Sequence, residues 1–219
     1  MNRIDKLFSY LPLCTTFADV ACDHGYVAEF MLKHGRCESV VISDISDKCL
    51  KKAETLLADY ISAGRCRPVC CDGLSKIDRD IDCVMIAGIG GEEIIKILTE
   101  GFIPKSFVFQ PMKNADALRK YLLENGCFIE TDDIFTDGKK YYFVITGRKG
   151  KAQEYSGEQL LYGKDSLKNP VFYDYLNEEL AKKKRYLSKD MTDDSRRALT
   201  RQIKKMEEVL KGETDRNIR

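Results

Sequence analysis

The stretch Phe17-Ala-Asp-Val-Ala-Cys-Asp-His-Gly-Tyr26 decides how the rest of the chain is read. An apolar run ends on an acidic residue, small residues follow, and helix-compatible sequence starts at Tyr26. This is the pattern of the first strand-to-helix crossover in doubly wound α/β folds, where ligands bind beyond the carboxyl ends of the strands at the point of reversed sheet order. Glycines are usual at two positions of such a turn. Here those positions hold Ala21 and Asp23, so a G-x-G dinucleotide fingerprint is missing.

Downstream of this turn the alternation continues. Short apolar runs at 17–22, 39–43, 67–71, 83–87 and 106–110 read as strands, and the stretches 26–34, 47–63, 92–100 and 115–125 read as helices. Strands alternating with helices imply a parallel sheet with right-handed crossovers. Two further runs, 128–135 and 140–147, flank an Asp137-Gly138 pair, a strong hairpin signal. Residues 148–169 are polar and glycine-rich and read as a connector. Pro170 is placed to open a helix. Phe172, Leu176, Leu180 and Leu187 share one helical stripe, and Leu199, Ile203, Met206 and Leu210 a second, with a polar break at Met191–Ser195 between them. These stripes predict an antiparallel, coiled-coil-like hairpin over residues 170–211. The last eight residues, 212–219, are expected to fray.

Charge divides along the same line. Among the 219 residues the formal net charge is +1, but residues 1–146 carry 18 Lys and Arg against 22 Asp and Glu, whereas residues 147–219 carry 18 against 13. Between Ala181 and Lys205 ten basic residues face three acidic ones. Such a cluster is either a solvated helix face or a surface for a polyanion, of which nucleic acid is the obvious one. Nine cysteines include no C-x-x-C pair and only two histidines accompany them, which argues against a zinc site and for buried reduced thiols in a cytoplasmic protein. No apolar run reaches the length of a membrane span, and the start of the chain lacks a signal-peptide core.

The candidate ligand residues sit where the strands end. Asp44 follows the second strand, 25 residues after Asp19. A carboxylate there can accept hydrogen bonds from both hydroxyls of a ribose. Cys71-Asp72-Gly73 follows the third strand, and Ala87-Gly88-Ile89-Gly90-Gly91 the fourth. Bland alternatives stay open: Asp23 or Asp44 as caps of the following helices, and the glycines as a tight joint. An acid-lined first turn repels a pyrophosphate. It suits S-adenosylmethionine, which has no phosphate but carries a sulfonium and an ammonium group.

These runs (D-x-A-C-D-H-G-Y, C-D-G-L, A-G-I-G-G and F-Q-P-M) with the basic hairpin behind them resemble the bacterial tRNA (adenine-22)-N1-methyltransferase family, the TrmK family, from Arg3 to about Lys211. The resemblance implies a Rossmann-like class I methyltransferase domain over 1–147 with a C-terminal helical hairpin. It implies S-adenosylmethionine as cofactor, in a pocket of Asp23, His24, Gly25, Asp44, Ile45, Asp72, Gly73, Ala87 and Gly88. Gln110 and Pro111 are similar to the family's Gln-Pro-Asn, although Met112 and Lys113 here precede Asn114; where the family shows Gly-Pro, this chain has Gly163-Lys164. The implied partner is tRNA, contacted through Lys182, Lys183, Lys184, Arg185, Arg196 and Arg197. No metal and no membrane are expected, and the chain is expected to act as a monomer.

The chemistry is compatible with what the sequence lacks. There is no Asn/Asp-Pro-Pro-aromatic run of amino-group methyltransferases, and no Pro-Cys nucleophile after the fourth strand. Ring N1 of adenine has its own lone pair, so transfer needs positioning and desolvation more than a strong base. The base becomes cationic, and Asp23 is the candidate to stabilise that charge. His24 either lines the pocket or shapes the turn, and His34 reads as structural. A methyltransferase acting on another RNA, a protein or a small molecule remains open, as does a non-catalytic binding module.

Overall fold

In the computed structural model, residues 3–217 are described, with side chains as far as Gly212, and they form two compact units split between Leu167 and Lys168. The first unit is built on a seven-stranded sheet of β1 (Thr16–Val20), β2 (Ser39–Asp44), β3 (Cys66–Cys70), β4 (Cys83–Ala87), β5 (Ser106–Gln110), β6 (Cys127–Asp137) and β7 (Lys140–Lys149). Its order is β3-β2-β1-β4-β5-β7-β6. The first five strands run parallel, and β7 enters antiparallel between β5 and β6. This is the Rossmann-like arrangement of class I methyltransferases expected from the sequence.

The helices explain why the central strands are apolar on both faces. The helices are α1 (Arg3–Phe8), α2 (Tyr26–Lys33), α3 (Asp47–Leu56), α4 (Ala58–Ser62), α5 (Gly91–Glu100), α6 (Ala115–Glu124) and α7 (Gly157–Tyr162). One apolar cluster packs Leu7, Val27, Met31, Leu50 and Leu57 against the sheet from Phe17, Ile42 and Met85. The other packs Ile94, Leu98, Leu118 and Leu122 against Val84, Ile86, Phe107 and Phe109. A strand covered on both faces reads as a continuous apolar run rather than an alternating one. β3 is an edge strand and half-exposed, a setting that tolerates its proline at position 68.

Several details differ from the linear reading. The first strand stops at Val20, because Ala21 already takes a positive φ. The helix expected over 47–63 breaks at Leu57, which leaves helical geometry while its side chain stays fully buried. α1 carries no long periodic pattern that would reveal it in the sequence. The stretch 148–169, read as a connector, is largely folded onto the first unit. All nine cysteines are free, and burial pushes the thiols of Cys14, Cys66 and Cys83 up to about 12.

What folds that stretch down is a buried ion pair. Arg119 on α6 and Asp132 on β6 are both fully shielded from solvent, with Nε 2.8 and 2.9 Å from the two carboxylate oxygens. Arg119 Nη1 donates onward to the carbonyls of Leu160 and Leu161 at the end of α7, and its guanidinium lies 4.9 Å over the Phe143 ring. Asp165 accepts from the Asp132 amide at 2.9 Å, and Gln153 exchanges two hydrogen bonds with the backbone of Ile129. That exchange satisfies β6 where its register shifts between Ile129 and Thr131.

The second unit is a helical hairpin of α8 (Pro170–Leu187) and α9 (Asp193–Asn217). Asn169 caps α8 by accepting from the Val171 amide, with Pro170 in the first turn. Leu176, Leu180, Ile203 and Met206 form its buried stripe, as the spacing predicts. α9 continues as backbone helix to Asn217; the rest of the expected fray, residues 218–219, lies outside the described residues. No helix among the described residues is long and apolar enough to cross a membrane.

Removing one partner of a buried ion pair strands the other without solvent or counter-charge. Arg119→Met is therefore expected to destabilise the protein by about 3–5 kcal/mol, and the double change Arg119→Met/Asp132→Leu to recover much of that loss. Denaturant titration of both variants checks this; a single variant within about 1 kcal/mol of the parent would mean that the pair does not hold the α7 segment in place.

Candidate active site

The sheet order reverses at β1, which has β2 on one side and β4 on the other, so the crevice opens over the carboxyl ends of these strands. The turn after β1 is the tightest feature there. Ala21 (φ 58°) and Asp23 (φ 46°) occupy the left-handed region, followed by Gly25 (φ 74°). These are the positions where glycines are usual. The backbone keeps the glycine geometry although the residues are not glycine, at a cost of about 1–2 kcal/mol each. At Gly25 a side chain is excluded outright, since a Cβ would lie 2.9 Å from that of Ala53.

Asp44 locks this turn. Its Oδ2 accepts from the Asp23 amide at 3.3 Å and its Oδ1 from the Ser46 amide at 2.8 Å, so one carboxylate ties the exits of β1 and β2 together. Neither acid caps a helix. Ser46 caps α3 by accepting from the Cys49 amide, and α2 begins at Gly25 with no side-chain cap. The Ala28 amide in the first turn of α2 is taken by Asp19, and among the described residues the amides of Tyr26 and Val27 ahead of it have no side-chain acceptor, which suits a carboxylate or other anionic group. Asp23 itself is exposed, 3.5 Å from Lys52 Nζ and 3.7 Å from His24 Nε2. His24 in turn stacks on Tyr26, with ring centroids 5.4 Å apart. His34 packs against the Phe30 ring at a tilt, with centroids 4.5 Å apart, away from these turns, which fits its structural reading.

Beneath the turn lies Asp19, buried and accepting from the Ala28 amide of α2. Burial raises its carboxyl pKa to about 7, with the Asp44 charge adding to the rise and the Ala28 hydrogen bond opposing it.

The remaining strand ends complete the rim. Ile45 is 69% exposed beside Asp44, an apolar surface for a flat ring. After β3, Asp72 is exposed and Gly73 takes φ 53°. After β4, Gly88 takes φ 83° and donates to the Gln110 carbonyl, while Met112 donates to Ile89 and Gly91 to Lys113. The exits of β4 and β5 are thus zipped together, and a Cβ at Gly91 would collide with the Asn114 carbonyl. Gln110 is fully buried, with its amide shared between the Pro111 carbonyl, Met112 Sδ and Arg3. It supports this rim from below. Arg3 is not legible in the sequence, because 107 residues separate it from Gln110 and no local pattern marks it.

The basic residues of α8 and α9 belong to the second unit and are unequal. Lys182 pairs with Glu179, Lys183 with Gln202, Lys184 with Glu207 and Arg197 with Asp194. Arg196 donates to the carbonyls of Leu187 and Lys189 and so closes the end of α8. Among the described residues Arg185 and Lys189 have no acidic partner, and they line a hollow of about 280 Å³ with Lys182 and Tyr186. Lys189 adds to the basic residues that the sequence singles out.

Comparison with known proteins places this geometry in context. A family described as a methyltransferase domain matches residues 1–145. A Mycoplasma pneumoniae protein described as a "putative tRNA methyltransferase" is 34% identical over 151 residues, which is 67% of this chain and 70% of that protein. Among solved structures, M. capricolum TrmK in complex with S-adenosyl-homocysteine aligns over 95% of this chain and 96% of its own, at 20% identity and a TM-score of 0.87. The B. subtilis m1A22 tRNA methyltransferase TrmK aligns over 95% and 97%, at 20% identity and a TM-score of 0.84.

The Asp19 carboxyl generates a pH test. Its folded pKa lies above the ordinary carboxylate value, so the folded state holds a proton that the unfolded chain has released. Its contribution is then complete at acid pH and lost as pH rises toward about 7. Asp19→Asn keeps an acceptor for Ala28 and cannot ionise. Melting temperatures from pH 5 to 8 are expected to fall in the parent relative to this variant; parallel curves would show that Asp19 stays ionised.

Proposed function

We propose that this chain, which belongs to the methyltransferase-domain family and, within it, to the TrmK-like class I enzymes, places a methyl group on ring N1 of an adenine in tRNA, at position 22 by family resemblance. It is an S-adenosylmethionine-dependent methyltransferase. The observation that carries the site is the turn Ala21–Gly25, which two non-glycine residues hold left-handed so that α2 starts uncapped between Asp23 and Asp44. Strain of this kind persists where surrounding structure enforces it, and it marks functional turns.

The residues present fit the cofactor. The uncapped start of α2 at Gly25 suits its carboxylate, and the acids around it suit its two cationic groups. Asp44 would hold the ribose hydroxyls, Ile45 would cover one face of the adenine, and Asp72 with Gly73 would meet the adenine amino group. Ala87 and Gly88 bring backbone close at the end of β4. When bound, S-adenosylmethionine supplies a methyl group activated by a sulfonium. Asp23 would offset the charge that develops on the base, with His24 beside it. Gln110 and Pro111 would shape the acceptor side, Gln110 through the rim that it supports.

N1 lies on the Watson–Crick edge, so a paired target must leave its helix first. The basic hairpin would hold the tRNA by backbone and shape, which leaves the base free to enter the catalytic unit. Lys182, Lys184 and Arg197 are held in surface ion pairs, which are worth little and exchange readily for phosphate, while Lys183 bonds Gln202 and Arg196 bonds the carbonyls at the end of α8. Arg185 and Lys189 need no exchange and are the first contacts in this reading. A bacterial cytoplasm, where tRNA is found, is the setting that this function requires.

Two measurements test the reading. Nucleoside analysis of tRNA incubated with the enzyme and cofactor is expected to yield 1-methyladenine, and a methyl group on N6, on guanine or on no base would refute it. Asp44→Ala is expected to weaken S-adenosylhomocysteine binding by about tenfold or more, since two charge-assisted hydrogen bonds are removed; calorimetry reads this directly.

The hairpin assignment has its own signature. Changing Arg185 and Lys189 together to Gln is expected to lower the slope of log affinity for tRNA against log salt by about two, one unit for each phosphate no longer neutralised. An unchanged slope would assign the pair to solubility.

A further inference from the structure

A groove with a volume of about 450 Å³ lies between α1, α2 and the tip of the β6–β7 hairpin, lined by Arg3, Ile4, Phe8, Tyr26, Glu29 and Asp137. It borders the cofactor turns at two places. Tyr26 is the first residue of α2 and stacks on His24. Arg3 sits on the other border: a Cβ at Gly88 would lie 3.6 Å from its Nη1, the same atom that donates to Gln110 Oε1 at 3.3 Å and approaches Met112 Sδ at 3.8 Å. The Arg3 amide donates to Asp137 Oδ2 at 3.0 Å, and its guanidinium lies 5.7 Å over the Tyr142 ring. Arg3 therefore pins the start of the chain across the exits of β4 and β5 and fixes one wall of the groove.

The lining has the character of a nucleobase site. Tyr26 is 49% exposed although it is an aromatic residue, and its ring stacks on that of His24. Flat bases stack on such rings whatever their identity. The charges are also informative. Asp5, Glu29 and Asp137 outnumber Arg3, and the half-buried Glu29 has no cationic partner among the described residues. An acidic lining beside aromatic rings suits a ligand that is flat and acquires positive charge.

From this we infer that the groove receives the target adenine, with Tyr26 as its stacking platform and Glu29 as the counter-charge to the methylated base; the inference rests on the function proposed above. In the transfer the N1 lone pair forms the new bond to the methyl carbon, the carbon–sulfur bond breaks, and its electron pair stays on sulfur. No proton leaves and no further reactant is needed. The positive charge moves from sulfur to the adenine ring, so a carboxylate on the acceptor side is worth more after transfer than before it. Asp23, already shared between Lys52 and His24, is less free to serve that charge than Glu29.

The test uses the full chain with Tyr26→Ala, Tyr26→Phe and Glu29→Gln. All three should bind S-adenosylhomocysteine within about twofold of the parent, which also shows that they fold. Tyr26→Ala should lose about tenfold or more in kcat/KM on tRNA, with Tyr26→Phe restoring most of it. Glu29→Gln should lower kcat. In NMR titrations with S-adenosylhomocysteine present, 1-methyladenosine should bind the parent several-fold more tightly than adenosine, and Glu29→Gln should abolish that preference. Weakened S-adenosylhomocysteine binding in the variants would give the groove to the cofactor and overturn the inference. So would unchanged kinetics in variants of an enzyme that does make 1-methyladenine. Should the parent make no 1-methyladenine in tRNA, the proposed function fails, and the nucleoside titration alone then decides whether the groove holds a base.

Discussion

Parallel strands cannot be joined by a tight turn, so each must leave the sheet, cross it through a helix and return. In this chain β1 comes first and its neighbours are taken up on both sides, β2 on one and β4 on the other. Everything at the candidate site follows from that reversal. The exits of β1, β2 and β4 splay around one crevice, and whatever residues end those strands are brought together, although they are far apart in the chain. Asp44 exploits this: it stands at the end of β2 and reaches back to the Asp23 amide at the end of β1.

The crevice is kept in shape at some expense. Ala21 and Asp23 are held left-handed, and Asp19 is buried below them with a raised pKa. Each is unfavourable by itself. They persist because the two apolar clusters on either face of the sheet fix β1 and α2, leaving the turn no other path. The same rigidity leaves the amides of Tyr26 and Val27 at the start of α2 without a side-chain cap, so the strain and the binding potential have one origin.

On the far side of the sheet the Arg119–Asp132 pair does comparable work for the segment after β7. A guanidinium can bond a carboxylate and two carbonyls at once, so one buried cation joins α6, β6 and α7, and Asp165 and Gln153 add further ties to β6. The helical hairpin follows different physics. Its apolar stripe is narrow and its charges are mostly exposed; Lys182, Lys184, Arg197 and Lys204 have acidic partners, whereas Arg185, Lys189, Arg201 and Lys205 have none among the described residues. That arrangement keeps a strongly basic element folded and still leaves it able to exchange partners for a polyanion.

The division between what was legible and what was not is physical. Periodicity and strand-end composition are local, so the alternation of strands and helices, the hairpin at Gly138, the helical stripes of α8 and α9, and the family resemblance carried by the four strand-end runs could be read from the residues in order. Even the missing glycines at positions 21 and 23 were informative, because the backbone there has the conformation that glycine would take. Side-chain partners across the fold are not local. Whether Asp23 and Asp44 cap helices or tie turns, which cations of the hairpin are committed, and why residues 148–169 fold down depended on distances that no linear pattern encodes. Arg3 shows this most clearly: it meets Gln110 only because α1 is laid across the exits of β4 and β5. Sequence by itself determined the elements and the chemistry available at each strand end; the tertiary structure alone decided which of those groups meet, because contacts between distant residues are set by packing and not by order along the chain.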